Sequence, residues 1–268
     1  MLVDEIKKRT RGIVGREIFF FKTLDSTNTT ALELSVKAPD GTVVLSDSQN
    51  KGRGRLGRTW ISPSGVNIYM SVILKPQIKV KDSSLITLMS AVACATALKN
   101  VTGMGITTKW PNDLMINNKK VGGILTELKS QRQTITSAIV GIGINVNIDL
   151  LEFPAEVKQS ATSLRTEAGV SYPREPIVAE ILNEMDRWYK ALITLDKKTI
   201  VRAWKNLTST LGQKVMIVTP HETLRGTAES IDNEGRLILR LPSGESKRIN
   251  SGDLTVLRLT DDHSDRHR

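Results

Sequence analysis

Residues 107–147 read TTKWPNDLMINNKKVGGILTELKSQRQTITSAIVGIGINVN and contain several short segments of apolar and β-branched residues. Such segments, bounded by polar turns, are typical of strands, here Thr107–Trp110, Leu114–Ile116, Lys120–Leu128 and Thr134–Ile144. The pair Asn117-Asn118 lies between the middle two segments, and asparagine tolerates the backbone angles of a tight hairpin turn. This part of the chain therefore predicts consecutive strands of one sheet.

Upstream segments extend the predicted sheet and add helices. Strands are expected at Glu17–Lys22, Thr42–Ser48 and Asn67–Leu74, and helices at 29–37 and 84–100. In the second helix, large apolar residues recur at helical spacing with alanines between them, so one face can approach a sheet closely. Cys94 lies in this helix and is expected to pack in the core rather than to react.

Downstream, two further helices are predicted at Pro176–Leu192, with proline at its first position, and at Lys197–Leu207. Beyond Gly212 the chain changes to short alternating segments separated by turn residues, which is typical of a small β-barrel. We therefore predict a larger domain over 1–210, a small β domain over 211–260 and a disordered tail over 261–268.

Composition excludes several kinds of site. The chain has 268 residues, a formal net charge of +10, one Cys and three His, so a His/Cys metal cluster or a histidine-based catalytic triad is not expected. A single cysteine favours a reducing compartment. The longest uncharged stretches have 16 residues, fewer than the roughly 20 that span a bilayer, so a soluble, cytoplasmic protein is expected.

The basic charge is concentrated in one short loop. Residues 49–58 carry four bases and no acid, in the sequence QNKGRGRLGR. Glycines let backbone amides approach a ligand, and arginines bind carboxylate or phosphate with planar, permanently charged groups. The interpretation we favour is an anion site; a solvated basic loop and an RNA-binding segment of the RG type remain alternatives.

Two further motifs accompany the loop. The first is KWPND at 109–113, followed by KKVGGIL at 119–125, where paired glycines inside an apolar strand indicate close approach of another backbone or of a ligand. The second is GIGINVN at 141–147, which is either an edge or bulged strand or the wall of a pocket.

Taken together, the motifs resemble those of the biotin protein ligases. The matching residues, in order, are DSTN at 25–28, Gln49, GRGRLGRTW at 52–60, KWPND, KKVGGIL, GIGINVN and ATSL at 161–164. The resemblance implies an α+β fold: a mixed sheet backed by helices, similar to the catalytic domain of class II aminoacyl-tRNA synthetases, and a small C-terminal SH3-like barrel. It also implies an enzyme that uses ATP to convert biotin to biotinyl-5′-AMP and then biotinylates one lysine of a biotin carboxyl carrier protein.

The resemblance also assigns roles to residues. Biotin binding falls to Ser26, Thr27, Asn28, Gln49, Gly52, Arg53, Gly54, Arg55, Lys120 and Gly123. ATP and adenylate binding falls to Arg55, Arg58, Trp60, Asn112, Asp113, Lys120 and Asn145, with Trp60 and Asn145 expected near adenine. Lys120 and Arg55 are the predicted catalytic residues, whereas Lys119 should face the other side of its strand. Mg²⁺ is expected with ATP, but a lone carboxylate at Asp113 is too weak a basis for assigning metal ligands.

Alternatives and partners complete the expectations. A lipoate ligase of the same fold and a non-enzymatic RNA-binding module are the alternatives to a biotin ligase. The resemblance further implies a homodimer. Only 24 residues precede Asp25, so no DNA-binding domain and no sequence-specific DNA binding are expected, and residues 4–12 are predicted to form a short helix or arm.

Overall fold

The structure is a computed structural model that describes residues 1–257. The helices are α1 (Val3–Arg9), α2 (Thr27–Leu34), α3 (Ser84–Thr102), α4 (Ala155–Lys158), α5 (Leu164–Ala168), α6 (Arg174–Ile193) and α7 (Lys197–Leu207). The strands are β1 (Ile18–Leu24), β2 (Val43–Gln49), β3 (Ile68–Leu74), β4 (Ile78–Lys79), β5 (Thr107–Lys109), β6 (Asp113–Ile116), β7 (Lys119–Gln131), β8 (Thr134–Ile144), β9 (Lys214–Val218), β10 (Thr223–Ile231), β11 (Leu237–Arg240), β12 (Ser246–Ile249) and β13 (Asp253–Val256).

Eight strands form one mixed sheet, in the order β1-β2-β3-β8-β7-β6-β5, with β4 paired to β8. β1 runs parallel to β2, and the other pairs are antiparallel. The predicted hairpin forms at Asn117-Asn118, whose φ angles are 48° and 62°, as a tight turn between twisted strands requires. β8 lies between β3 and β7, so residues 141–144 of GIGIN belong to a central strand and not to an edge.

A helical layer covers one face of the sheet. Helix α3 packs against α6 and α7, and its buried side chains join those of the central strands in the main hydrophobic core. By length and composition α3 is apolar enough to cross a membrane, but most of it is buried inside the protein. Cys94 is fully buried there, and desolvation raises the pKa of its thiol well above the usual value, which confirms the expected packing role.

The opposite face of the sheet is covered only in part. Helix α2 packs on β2, β3 and β8 through a small apolar cluster that includes Ala31, Val44 and Ile73. Beyond this cluster, the loop after β2 reaches the same face, where Trp60 lies against Gly143 and Arg53 against Glu127. The candidate site lies between the helix and this loop.

The C-terminal strands form a separate antiparallel sheet in the order β12-β11-β10-β9-β13. Its inner residues, among them Val215 and Leu239, belong to the same hydrophobic cluster as α3 and α7. The mixed sheet backed by helices and the small C-terminal β unit confirm the predicted fold class. The predicted boundary at 210 lies in the segment between α7 and β9 and stays a prediction, and the tail over 261–268 lies outside the described residues.

Some helix boundaries were predicted wrongly, among them those of α2, which spans Thr27–Leu34 and not 29–37. Helix α6 begins at Arg174, so Pro176 is its third residue and not its first. Proline is tolerated there because the first backbone N–H groups of a helix have no partner within the helix. The sequence also gave no signal for Arg174, whose guanidinium is 2.8 Å from Asp47 and donates to the carbonyl of Asn67 at 3.0 Å.

Candidate active site

On the face of the sheet that carries α2, glycines of β7 and β8 leave an area without side chains. Gly123 is paired with Gly143, and Gly141 lies between Ser71 of β3 and Leu125 of β7. A Cβ atom on Gly143 would lie 2.6 Å from the indole of Trp60. The glycines therefore allow side chains to lie directly on the strands. We call Gly123, Gly141 and Gly143 the glycine floor.

The other glycines of these strands are equally constrained. A Cβ on Gly141 would lie 2.2 Å from Asn28 Oδ1, and one on Gly122 would lie 2.9 Å from the carbonyl oxygen of Gly143. Such distances are shorter than real Cβ contacts. The predicted close approach is thus confirmed at Gly122, with the backbone of β8 as the neighbour, whereas the atom nearest to a Cβ on Gly123 would be Lys120 Cε at 3.2 Å.

The basic loop folds back on itself. Trp60 N donates to the carbonyl of Gly52 at 2.9 Å, and Gly54 N donates to the carbonyl of Arg58 at 2.7 Å. A Cβ on Gly52 would lie 2.2 Å from the carbonyl oxygen of Trp60, so this close approach requires glycine. At the tip, Leu56 adopts a φ of 55°. The loop therefore holds its arginines on a short, closed turn.

The cations of the loop contact carboxylates or carbonyl oxygens. Arg53 forms an ion pair with Glu127 of β7 at 2.9 Å, and Lys51 pairs with Asp25 at 2.8 Å. Arg58 forms an ion pair with Asp253 of β13. Each of these pairs ties the loop to another element of the fold.

Arg55 is the most enclosed base of the loop. It donates to Asn112 Oδ1 at 3.0 Å and to the carbonyl of Gly252 at 3.3 Å. Burial lowers the pKa of its guanidinium, and the nearby carboxylates of Asp113 and Asp253 partly offset that shift. Arg55 therefore brings a partly desolvated positive charge between the two sheets.

Lys120 lies at the start of β7, beside the predicted acid. Its Nζ is 2.6 Å from Asp113 Oδ1 and 5.5 Å from the centre of the Trp60 ring. A register shift between Leu114 and Met115 accompanies this pairing. A Cβ on Gly123 would lie 3.3 Å from Lys120 Nζ, so the ammonium group is on the same face as the glycines.

A partly buried set of hydrogen bonds joins residues predicted to bind biotin. Gln49 Oε1 accepts from Thr27 N at 2.9 Å and from Thr27 Oγ1 at 3.2 Å. Ser71 Oγ lies 2.8 Å from Thr27 Oγ1 and 2.6 Å from Asn28 Oδ1. Ser26 is buried beside them at the start of α2. The structure thus brings the predicted polar groups of this region together.

Two predicted asparagines hold backbone in place. Asn112 Nδ2 donates to the carbonyl of Ile124 at 2.9 Å, while its Oδ1 accepts from Arg55. Asn145 Nδ2 donates to the carbonyl of Thr162 at 3.0 Å, and the side chain is buried. Asn145 thereby anchors the segment before α5, close to the start of β7, where Lys120 N donates to the carbonyl of Ser160.

Several site residues were missed from the sequence. Glu127 and Ser71 contact predicted residues directly, and Asp253 contacts the loop from the C-terminal sheet. Glu127 lies four residues after Gly123, so the alternation of side chains along a strand could have indicated it. No local pattern marks Asp253, because its role depends on how the two sheets pack.

A cleft of about 180 Å³ lies beside Arg55, between the two sheets. Its lining includes Thr87 of α3, Asn112, Ile124, Asn250 and Ser251. Among residues 1–257, no group of three or more His, Cys, Asp or Glu residues could hold a metal ion.

Comparison with known proteins gives consistent matches. The profile of the biotin/lipoate A/B protein ligase family matches residues 20–145, and that of the biotin protein ligase C-terminal domain matches residues 210–254. The bifunctional ligase/repressor BirA of Bacillus subtilis is 37% identical over 245 residues, which are 91% of this chain and 75% of that protein. The biotin–[acetyl-CoA-carboxylase] ligase of Paracoccus denitrificans is 33% identical, over 82% of this chain and 92% of that protein.

Solved structures are similar along nearly the whole chain. A biotin protein ligase from Aquifex aeolicus, in complex with biotin and ATP, superposes with a TM-score of 0.77 at 30% identity. The similarity covers 91% of this chain and 99% of the other.

Proposed function

Because the chain belongs to the biotin protein ligase family, we propose that it activates biotin with ATP and transfers the biotinyl group to a lysine of a biotin carboxyl carrier protein. The intermediate is biotinyl-5′-AMP. The observation that carries this proposal is the polar set of buried Thr27, buried Asn28 and half-buried Gln49, next to a loop of cations on the glycine floor. A ring with hydrogen-bonding groups and an anionic tail fits such a site.

The ring of biotin would be held by the polar set. Its ureido group offers two N–H donors and one carbonyl acceptor. Asn28 Oδ1 can accept a further hydrogen bond, and Gln49 Nε2, which donates to Ser62, has a second hydrogen to donate. The buried indole N–H of Trp60 finds no acceptor among the described residues, which a ligand could supply. Burial strengthens these contacts, since an unmet polar group is costly away from water.

Activation brings two anions together. An oxygen of the biotin carboxylate attacks the α-phosphorus of ATP, the bond to the β-phosphate oxygen breaks, and pyrophosphate leaves with the electron pair. Arg53, Arg55 and Lys120 supply fixed positive charge for the carboxylate and the phosphates. Groups that are positioned before the reaction stabilise developing charge without reorganising, which is the main route to catalysis of phosphoryl and nucleotidyl transfer.

Transfer needs a second displacement. The neutral Nζ of a carrier lysine attacks the carbonyl carbon of biotinyl-5′-AMP, an amide bond forms, the lysine nitrogen loses a proton, and AMP leaves. Lys120, whose ammonium group lies beside Gly123 of the glycine floor, is the residue we place between the acyl and phosphate oxygens. Its ion pair with Asp113 fixes the direction of the side chain.

Magnesium does not fit a site built by the protein alone. Asp113 is the one carboxylate among the residues predicted to bind ATP, and its Oδ1 is taken by Lys120. Mg²⁺ prefers to keep several waters and to bind substrate phosphates with one or two carboxylates. We therefore propose that the ion enters with ATP.

The test is incubation of the protein with ATP, Mg²⁺, labelled biotin and a biotin carboxyl carrier domain. Label should appear in biotinyl-5′-AMP first and then on the carrier, and a carrier with its acceptor lysine changed to arginine should stay unlabelled. Lipoate in place of biotin should give no labelled carrier. Failure to form the adenylate would contradict the proposal. The homodimer remains a prediction, which light scattering can check.

A further inference from the structure

The carboxylate of Glu127 joins the two halves of the site and has no role in the steps above. Its Oε2 accepts a hydrogen bond from Asn28 Nδ2 at 2.7 Å and another from Arg53 Nη2 at 2.9 Å. Glu127 is on β7, Asn28 on α2 and Arg53 on the basic loop. A single oxygen atom thus holds together three elements that are far apart in the sequence.

The orientation of the Asn28 amide depends on this contact. Asn28 Nδ2 donates to the carbonyl of Leu125 at 3.2 Å as well as to Glu127, and both of these partners can only accept. Asn28 Oδ1 is consequently directed at Ser71 Oγ, 2.6 Å away. Without the carboxylate, one of the two amide hydrogens would lose its acceptor, and the carbonyl of Leu125, 3.2 Å away, would remain the partner of Nδ2.

The same oxygen places Arg53. Arg53 is about half exposed, so few packing contacts restrain its long side chain. A guanidinium has five N–H donors, and the contact with Glu127 through Nη2 leaves donors for a substrate anion. The positive charge of Arg53 also offsets the negative charge of Glu127, which would otherwise repel an incoming carboxylate.

We propose that Glu127 is a positioning residue of the ligase: its Oε2 fixes the Asn28 amide and the Arg53 guanidinium relative to each other, so that the ring and the carboxylate of biotin meet groups already in place. This inference rests on the proposed function, because it assigns biotin to Asn28 and Arg53. The decisive property is the reach of one acceptor oxygen, and the charge of the carboxylate is secondary.

Two substitutions separate reach from charge. Glu127→Gln keeps an oxygen at the same distance from the backbone but removes the charge, whereas Glu127→Asp keeps the charge but shortens the side chain by one methylene. We expect Glu127→Asp to raise the KM for biotin about tenfold and Glu127→Gln to raise it less than about threefold. The KM for ATP should change less than about twofold in both variants. The melting temperature of both variants should stay close to that of the wild type.

Matched controls are available at Glu222, an exposed carboxylate that pairs with Lys247 in the C-terminal sheet at 2.6 Å. Glu222→Gln and Glu222→Asp should leave both KM values unchanged. A Glu127→Asp enzyme with the wild-type KM for biotin would overturn the inference. A Glu127→Gln enzyme whose KM for biotin is as high as that of Glu127→Asp, or higher, would also overturn it. A lower melting temperature, with the KM values for biotin and ATP raised equally, would assign Glu127 to folding alone and would likewise overturn the inference.

Measurements on the wild-type enzyme test the ligase function separately from the positioning role of Glu127. A wild type that forms no biotinyl-5′-AMP contradicts the proposed function. If the wild type forms biotinyl-5′-AMP and Glu127→Asp has the same KM for biotin as the wild type, only the positioning role is contradicted.

Discussion

Asp253 of the C-terminal sheet forms an ion pair with Arg58 of the basic loop. The neighbouring carbonyl of Gly252 accepts from Arg55, so two arginines of one loop contact two successive residues of β13 and the turn before it. The position of the C-terminal sheet therefore influences the position of the loop.

The first prediction follows from this contact. Asp253→Asn should lower the rate of adenylate formation about two- to fivefold, because an exposed ion pair contributes up to about 1 kcal/mol. The effect should shrink at high salt, where the wild-type pair is screened. ATP–pyrophosphate exchange measures the rate. Glu229→Gln, which breaks the exposed pair with Arg240 in the same sheet, is the control and should have no effect.

The glycine floor gives a second prediction. Gly143→Ala should reduce adenylate formation at least tenfold, because its new Cβ would lie 2.6 Å from the Trp60 ring and would push the indole off β8. Gly105→Ala is the matched control, since nothing lies within 4 Å of a Cβ there. Tryptophan fluorescence should report a changed environment only for Gly143→Ala. Equal activity of the two variants would contradict the packing of Trp60 on the floor.

Local sequence patterns predicted most of the strands and long helices. Helix α7 was predicted with both ends correct, because its apolar residues recur at helical spacing between an aspartate cap and a polar segment. The start of α6 was missed because Arg174 is held by contacts with Asp47 and Asn67, which are distant in the sequence. Boundaries fixed by such long-range contacts leave no local signal.

The site was predictable to a similar extent. Glycines and bases stand out in a sequence because their chemistry is specific, and Gly141 and Gly143 of the GIGIN motif lie on the same face of the sheet as Arg53 of the GRGR motif. Partners such as Asp253 look like ordinary surface acids until the packing of β13 is known. Their positions depend on the tertiary structure.

The third prediction concerns the two lysines at the start of β7. Lys120→Ala should reduce adenylate formation about a hundredfold, the typical effect of removing one preorganised group that stabilises transition-state charge. Lys119→Ala should reduce it less than about twofold. The melting temperature of both variants should stay close to that of the wild type, since both side chains are partly exposed. Unchanged ATP–pyrophosphate exchange in Lys120→Ala would exclude Lys120 from catalysis.

The fourth prediction is a pH-dependent contribution to stability far from the site. Asp186 of α6 is buried and accepts from Ile13 N at 2.7 Å, while Lys190 lies 2.7 Å from its other oxygen. Burial by itself raises the pKa of Asp186, but the hydrogen bonds from Lys190 and from the amides of Ile13 and Val14 outweigh it, so the pKa lies below its usual value. The charged carboxylate therefore stabilises the fold.

A carboxyl group whose pKa is lower in the folded than in the unfolded chain contributes stability above its unfolded pKa of about 3.9. That contribution is lost as the pH falls through the folded value. Asp186→Asn should thus lower the free energy of unfolding by about 1–3 kcal/mol at pH 7. Urea unfolding from pH 7 to pH 3 should show this difference shrink below about pH 4, with adenylate formation unchanged at pH 7. A difference that stays constant with pH would mean that the charge of Asp186 does not stabilise the fold.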